Sequence, residues 1–418
     1  MPVKLLSLQS RARADAPADT RARVLWLSCI AHALHDGYTD ALYVLLPIWQ
    51  ADFGLGYGAV AMLRGLYAGA MASLQLPAGR VAARLGRHGS RIALALGTLL
   101  AAGGYVAAGL SGSLLGLCVA LALSGSGSST QHPLASGAVS QAFAGEARGP
   151  LGIYNFSGDL GKAALPAAVS LLITVMPWRH ALWVLAALGC AVAAALALLF
   201  PAPPRAVPAG AAHAEKSAGT VEAHDARSHA LRPGFWLLFT IGVLDTGVRM
   251  GVLTFLPFLL RAKGIAMPMI GTALALVFIG GAAGKFACGW LGARLGVIGT
   301  VLATESGTAA LILIVMVCPL APAMALLPLL GLMLNGTSSV LYGTVPELAP
   351  ADDLERAFAL FYTGTIGAGA VGPVLYGLLG DGVGVTGATL ATALTALAVL
   401  PLALGLRAHL ARVPSLSL

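Results

Sequence analysis

One ten-residue stretch concentrates the chemistry of this chain: Ala31-His32-Ala33-Leu34-His35-Asp36-Gly37-Tyr38-Thr39-Asp40. It sets two imidazoles and two carboxyls inside an apolar run from about Val24 to Ile48. In lipid, each ionisable group costs about 3 kcal/mol on insertion scales, more without a partner. His32, Asp36 and Asp40 are spaced four residues apart and share one face of a helix. Two carboxylates one turn apart disfavour joint ionisation, which suits one of them to carry a proton. A fixed structural cluster is the competing reading. His35 points about 100° away from Asp36 and is left to helix packing.

Other charges fall within apolar runs. Arg64 lies at a height matching Asp40, counted at about 1.5 Å of rise per residue, and is the expected partner of the two aspartates. Asp159 and Lys162 (i, i+3), and Asp245 and Arg249 (i, i+4), can each pair along their own helices. Alternatively, Arg249 and Lys162 contact an anionic substrate, Arg as a two-pronged fork and Lys as a point charge. Asn155 and Tyr362 are candidate cavity lining beside them. Lys285 and Glu305 are expected to pair across two neighbouring helices. His132 precedes Pro133, where a helix must bend or break, and could relay a proton or cap freed carbonyls.

Such groups need a scaffold that crosses a membrane. Of 418 residues, 58% are hydrophobic and 10% charged, with a mean hydropathy of +0.84. Soluble chains are about 25% charged, so an all-α membrane protein is the expected class. About twelve spans are legible, six over 24–200 and six over 234–406. A polar tail covers 1–23, a Pro- and Ala-rich linker 201–233, and a second tail 407–418. His213, His224 and His229 are linker histidines without metal spacing. The five cysteines are scattered and read as packing residues.

Eighteen of the 25 Lys and Arg residues fall on one set of loops, three on the other and four inside spans. That bias puts both termini in the cytoplasm of a bacterial-type inner membrane. The halves also repeat: Gly79-Arg80-Val81-Ala82-Ala83-Arg84-Leu85-Gly86 matches Gly289-Trp290-Leu291-Gly292-Ala293-Arg294-Leu295-Gly296 at an offset of 210, and Pro47 matches Pro257. Two parallel six-helix bundles joined by a long loop are the layout of a carrier with a midplane site.

These octapeptides resemble the loop signature of the major facilitator superfamily. The resemblance implies gating roles for Gly79, Arg84, Gly86, Gly289, Arg294 and Gly296. The family's signature aspartate is replaced by Ala83 and Ala293. Within the superfamily, His32-x-x-x-Asp36, Leu46-Pro47-Ile48-Trp49-Gln50 and Gly125-Ser126-Gly127-Ser128-Ser129-Thr130-Gln131-His132-Pro133 resemble the fosmidomycin-resistance exporters. Leu134 departs from that pattern, where a glutamate is expected, and Asp159, Lys162, Asp245 and Arg249 are not part of it.

The expected function is proton-coupled export of a small anionic or amphipathic compound by alternating access. Its proton groups are Asp36, Asp40, Arg64, His32 and His132. The expected substrate contacts are Arg249, Lys162, Asp159, Asp245, Tyr362 and Asn155. Uptake of a small organic acid is the alternative; divalent-metal transport through His32, Asp36, Asp40 and His132 is a more distant one. No cofactor, enzymatic activity or nucleic-acid partner is expected, the G-x-x-x-x-G-K-[ST] loop is absent, and a monomer in the bilayer suffices.

Overall fold

A computed structural model describes residues 17–143, 146–201, 233–349 and 354–410. Most of the linker and parts of both tails therefore lie outside the described residues. The helices are α1 (Ala18–Phe53), α2 (Tyr57–Arg84), α3 (Gly89–Leu110), α4 (Leu114–Ser128), α5 (Gln131–Phe143), α6 (Arg148–Val175) and α7 (Trp178–Leu199) in the first half. The second half comprises α8 (Pro233–Ala262), α9 (Met267–Val317), α10 (Leu320–Leu348) and α11 (Leu354–Leu410). α9 breaks at Gly296 and α11 at Gly384, so each supplies two spans. α4 and α5 together make one span. Twelve spans in two six-helix bundles result.

Among the described residues, eight helical stretches are by length and composition apolar enough to cross a bilayer. α1 and α2 are not among them because they carry the polar groups of the site. α4 and α5 are each too short. The break between them has a cause in Pro133, which has no amide hydrogen and whose ring crowds the Ser129 carbonyl four residues back. Hydroxyls hold the backbone around the break: Ser129 Oγ donates to Ser126 O at 2.7 Å and Thr130 Oγ1 to Gly127 O at 3.1 Å. Nearby side chains do this work wherever a helix breaks in lipid.

The sequence repeat is also a backbone repeat. Gly54 and Gly264, 210 residues apart, both take positive φ, at 63° and 86°. Gly86 and Gly296, again 210 apart, both sit at φ 68°. These turns require left-handed backbone, which glycine adopts without steric cost. They define two ends of the molecule: a turn end with Gly54 and Gly264, and a signature end with Gly86 and Gly296.

The bundles meet toward the turn end. Leu42–Leu46 and Trp49 of α1 share one apolar core with Val252–Leu260 of α8. The Gly271 amide donates to Ser170 Oγ at 2.8 Å, joining α9 to α6. Tyr57 packs edge-on against Phe258, with centroids 5.4 Å apart. Toward the signature end the second bundle keeps a core of its own around Phe235, Leu341, Val345 and Phe361. Arg84 and Arg294 are exposed there, Arg294 stacking 4.4 Å over Trp290 of its own helix. The bundles are thus joined by a shared apolar core at the turn end, while at the signature end the second bundle has a separate core.

Candidate functional site

Asp36 lies halfway along the 36-residue α1 and is 8% exposed. Its approach to α6 depends on missing side chains. A Cβ on Gly158 would sit 2.6 Å from His32 Cε1 and 2.7 Å from Asp36 Oδ2. A Cβ on Gly161 would collide with the Ala33 carbonyl. Small residues let membrane helices approach this closely, and they bring Lys162 onto Asp36.

Three groups converge on the carboxyl. Lys162 Nζ is 3.1 Å from Asp36 Oδ2, His32 Nε2 is 3.3 Å from the same oxygen, and His132 Nε2 is 3.6 Å from Oδ1. His32 Nδ1 lies 2.8 Å from the Tyr154 carbonyl, and its ring stacks on Tyr154 at 4.1 Å. A carbonyl only accepts, so Nδ1 must carry the hydrogen. Nε2 of a neutral His32 would then turn a lone pair toward the carboxylate, an unfavourable meeting of two acceptors. A proton between Nε2 and Oδ2, on either partner, resolves it.

Lys162 also reaches Asp159 Oδ1 at 3.7 Å. Asp159 in turn takes Lys285 Nζ at 2.7 Å to each oxygen. Lys285 belongs to α9, so a chain of charges runs Asp36–Lys162–Asp159–Lys285 from one bundle to the other.

Several expected pairings differ. Arg64 does not form an ion pair with either aspartate among the described contacts. Its guanidinium lies 5.4 Å over the Tyr43 ring and 3.8 Å from Met250 Sδ of the facing bundle. Lys285 pairs with Asp159 and not with Glu305, because α9 turns that face toward α6. Glu305 instead accepts from Thr337 at 2.8 Å. Asp245 and Arg249 make no ion pair within 4.0 Å among the described contacts, and Arg249 Nη1 donates to Ser338 Oγ at 3.4 Å. His132 does not cap the broken helix, where hydroxyls already serve. Asn155 is exposed, and Tyr362, half exposed, lies 4.8 Å from Tyr342.

Two arrangements went unforeseen. His35 is bonded at both nitrogens, to Ser128 Oγ at 3.0 Å and Thr98 Oγ1 at 2.9 Å. Tyr67 joins the same Ser128 at 2.7 Å. This buried network fixes α1 from behind. The Lys162–Asp36 pair also went unforeseen, although a count from residue 150 puts Lys162 about 18 Å deep, the height of Asp36 counted from Val24.

His32, Asp36 and His132 each offer a ligand atom within 4.8 Å of the others. Imidazole with carboxylate suits divalent transition metals. Lys162 occupies the Asp36 carboxylate, however, so a metal would have to displace an ammonium. The arrangement suits proton exchange better than metal capture.

Two six-helix bundles with buried charged groups between them define a membrane carrier fold. The chain belongs to the Major Facilitator Superfamily, whose family model matches residues 28–329 and again 238–416. Among solved structures it resembles a bacterial homologue of the human lysosomal transporter Spinster in an inward-facing, unoccupied conformation: 18% identity, 96% of this chain and 100% of that one, TM-score 0.79. The nucleoside transporter NupG matches at 14% identity over 94% and 99% of the two chains, TM-score 0.71. A peptide transporter POT variant matches at 16% identity over 93% and 94%, TM-score 0.69. At such identities the likeness shows the fold alone. No curated protein sequence matches the chain.

Proposed function

We propose that this protein is a proton-coupled secondary transporter for a small anionic compound. The observation that carries the reading is the His32–Asp36 contact. The Tyr154 carbonyl fixes the His32 tautomer, so the contact is stable only with a proton in it. A buried ionisable site that needs one proton supports a coupling role.

Coupling follows from the allegiance of Lys162. With Asp36 ionised, Lys162 is its counter-charge. Protonating Asp36 releases Lys162 to Asp159 or to an incoming anion. Lys162 moving onto Asp159 competes with Lys285 for that carboxylate and loosens the bundles. Proton and anion therefore bind together, which favours co-transport and, with an inward proton gradient, uptake. Arg249, half-buried in the facing bundle, supplies a second cation to the cleft.

Export by exchange is the second reading. The His32-x-x-x-Asp36 and Gly125–Pro133 pieces favour it, through their resemblance to the fosmidomycin-resistance exporters. The basic signature end is cytoplasmic in both readings, which makes this an inner-membrane protein with both termini inside.

A thermal-shift panel of small carboxylates and phosphonates, extended to divalent metals and cationic drugs, selects the substrate class. Everted vesicles then give direction: substrate added outside that drives proton uptake into the lumen means co-transport, and proton release from the lumen means exchange. Lys162→Gln and Arg249→Gln are expected to weaken anion binding in a folded protein. Intact binding in both removes the anion reading.

A further inference from the structure

A second buried acid site lies in the other bundle and is not used by the proposed Asp36 cycle. Asp245 of α8 is 4% exposed and Glu305 of α9 is 2% exposed. Their carboxyl groups face each other within hydrogen-bonding reach. Glu305 Oε1 takes the Thr337 hydroxyl at 2.8 Å. Among the described residues, Glu305 Oε2 and Asp245 Oδ2 have no hydrogen-bond partner.

The surrounding charges are few. From α8 itself, Arg249 faces both acids. Tyr342 of α10 faces Asp245 and Arg249, and its hydroxyl is bonded to Thr365 of α11 at 3.2 Å. From α9, Thr304 contributes only a hydroxyl, 2.7 Å from that of Thr337. Among the described residues, the pair therefore has one compensating cation for two acids.

Two ionised carboxyls in this setting would leave one uncompensated charge in low dielectric and two acceptors in opposition. One proton removes both problems. It makes an O–H···O bond between the two carboxyls and leaves a single carboxylate near Arg249.

We infer that Asp245 and Glu305 hold one proton between them, forming a proton-binding site in the second bundle whose occupancy is set by Arg249. The site does not depend on Asp36. Its link to transport is charge balance. An anion seated on Arg249 removes the compensating cation, and a further proton enters the pair. Proton and anion then reinforce each other on this side of the cleft as well.

The test is infrared spectroscopy of the full chain in lipid nanodiscs at neutral pH. A protonated carboxyl gives a C=O band, shifted in D2O, that a carboxylate lacks. Asp245→Asn and Glu305→Gln are each expected to lose one acid band relative to the unaltered chain, because the remaining acid then ionises against Arg249. Asp36→Asn is expected to keep that band, which separates this site from the Asp36 reading. Arg249→Gln is expected to keep it or gain a second.

Either single acid variant suffices, so one that fails to insert is replaced by the other. Acid bands unchanged in the folded variants overturn the inference. So does a wild-type band that sodium abolishes at constant pH, which would make the pair a cation site.

Discussion

The Asp381 carboxylate caps the first turn of α2 at Tyr57, across the boundary between the bundles. Oδ1 receives the Tyr57 amide at 2.5 Å and Oδ2 the Gly58 amide at 3.1 Å. An anion at a helix N-terminus meets free N–H groups and the positive end of the helix dipole. Gly56 and Gly58 leave room for it, since a Cβ on either would sit within 3 Å of a carboxylate oxygen. The contact joins the two bundles at the turn end.

Asp381→Asn is therefore expected to favour opening at the turn end. Charge-assisted hydrogen bonds contribute about 1.5–3 kcal/mol each, so the closed-to-open ratio should fall about tenfold or more. Spin-label distances between positions 57 and 378 read this directly. An unchanged distance distribution would show that Asp381 does not hold the closure.

Asp36→Asn keeps the shape of the site and removes its ionisable carboxyl. Flux driven by a pH gradient is expected to fall by about a hundredfold, the scale of a lost positioned proton-transfer group. Exchange of labelled for unlabelled substrate at equal pH needs no net proton movement and should persist. Asp40 has no ion-pair partner among the described contacts, so Asp40→Asn is expected to cost less. Unchanged driven flux in Asp36→Asn would falsify the coupling role.

The Asp159–Lys285 pair makes a different demand. Lys285→Asp alone opposes two acids and should slow transport about tenfold through a disturbed bundle contact. The double exchange Asp159→Lys with Lys285→Asp restores an ion pair across the same gap. It also places a second cation beside Lys162, so rescue should be partial in both flux and thermal stability. If the double exchange is no more stable than the single, the pair does not link the bundles.

Much of the scaffold could be read before any coordinates. The 210-residue offset found in the two octapeptides and in Pro47 and Pro257 reappears as matched backbone turns at Gly54 and Gly264 and at Gly86 and Gly296. Repeats constrain backbone, and glycines show where. The His32–Asp36 face was legible for the same reason: helical spacing is local. Partners across helices were not. Counting residues gives height and says nothing of direction, so Arg64 matched Asp40 in depth yet turned to Tyr43 and Met250. Lys162 matched Asp36 in depth too, and what decided the pairing was Gly158 and Gly161, whose effect depends on which helix they face.

Those two glycines separate site from scaffold. Gly158→Ala places a methyl against His32 and Asp36, and the His32 ring cannot swing away without losing its Tyr154 stack and hydrogen bond. The helices themselves can stay packed. Thermal stability should fall by no more than about 1 kcal/mol, the cost of an off-rotamer side chain, while proton-driven flux falls about tenfold. Gly161→Ala meets the Ala33 backbone instead. Backbone cannot yield as a side chain does, so this variant should lose stability by about 1–3 kcal/mol, the usual range for overpacking, with flux declining in step with the amount of folded protein. Measuring melting temperature and flux per folded molecule for both variants distinguishes the two. Wild-type flux in a folded Gly158→Ala would mean that the exact seating of His32 on Asp36 is irrelevant to transport.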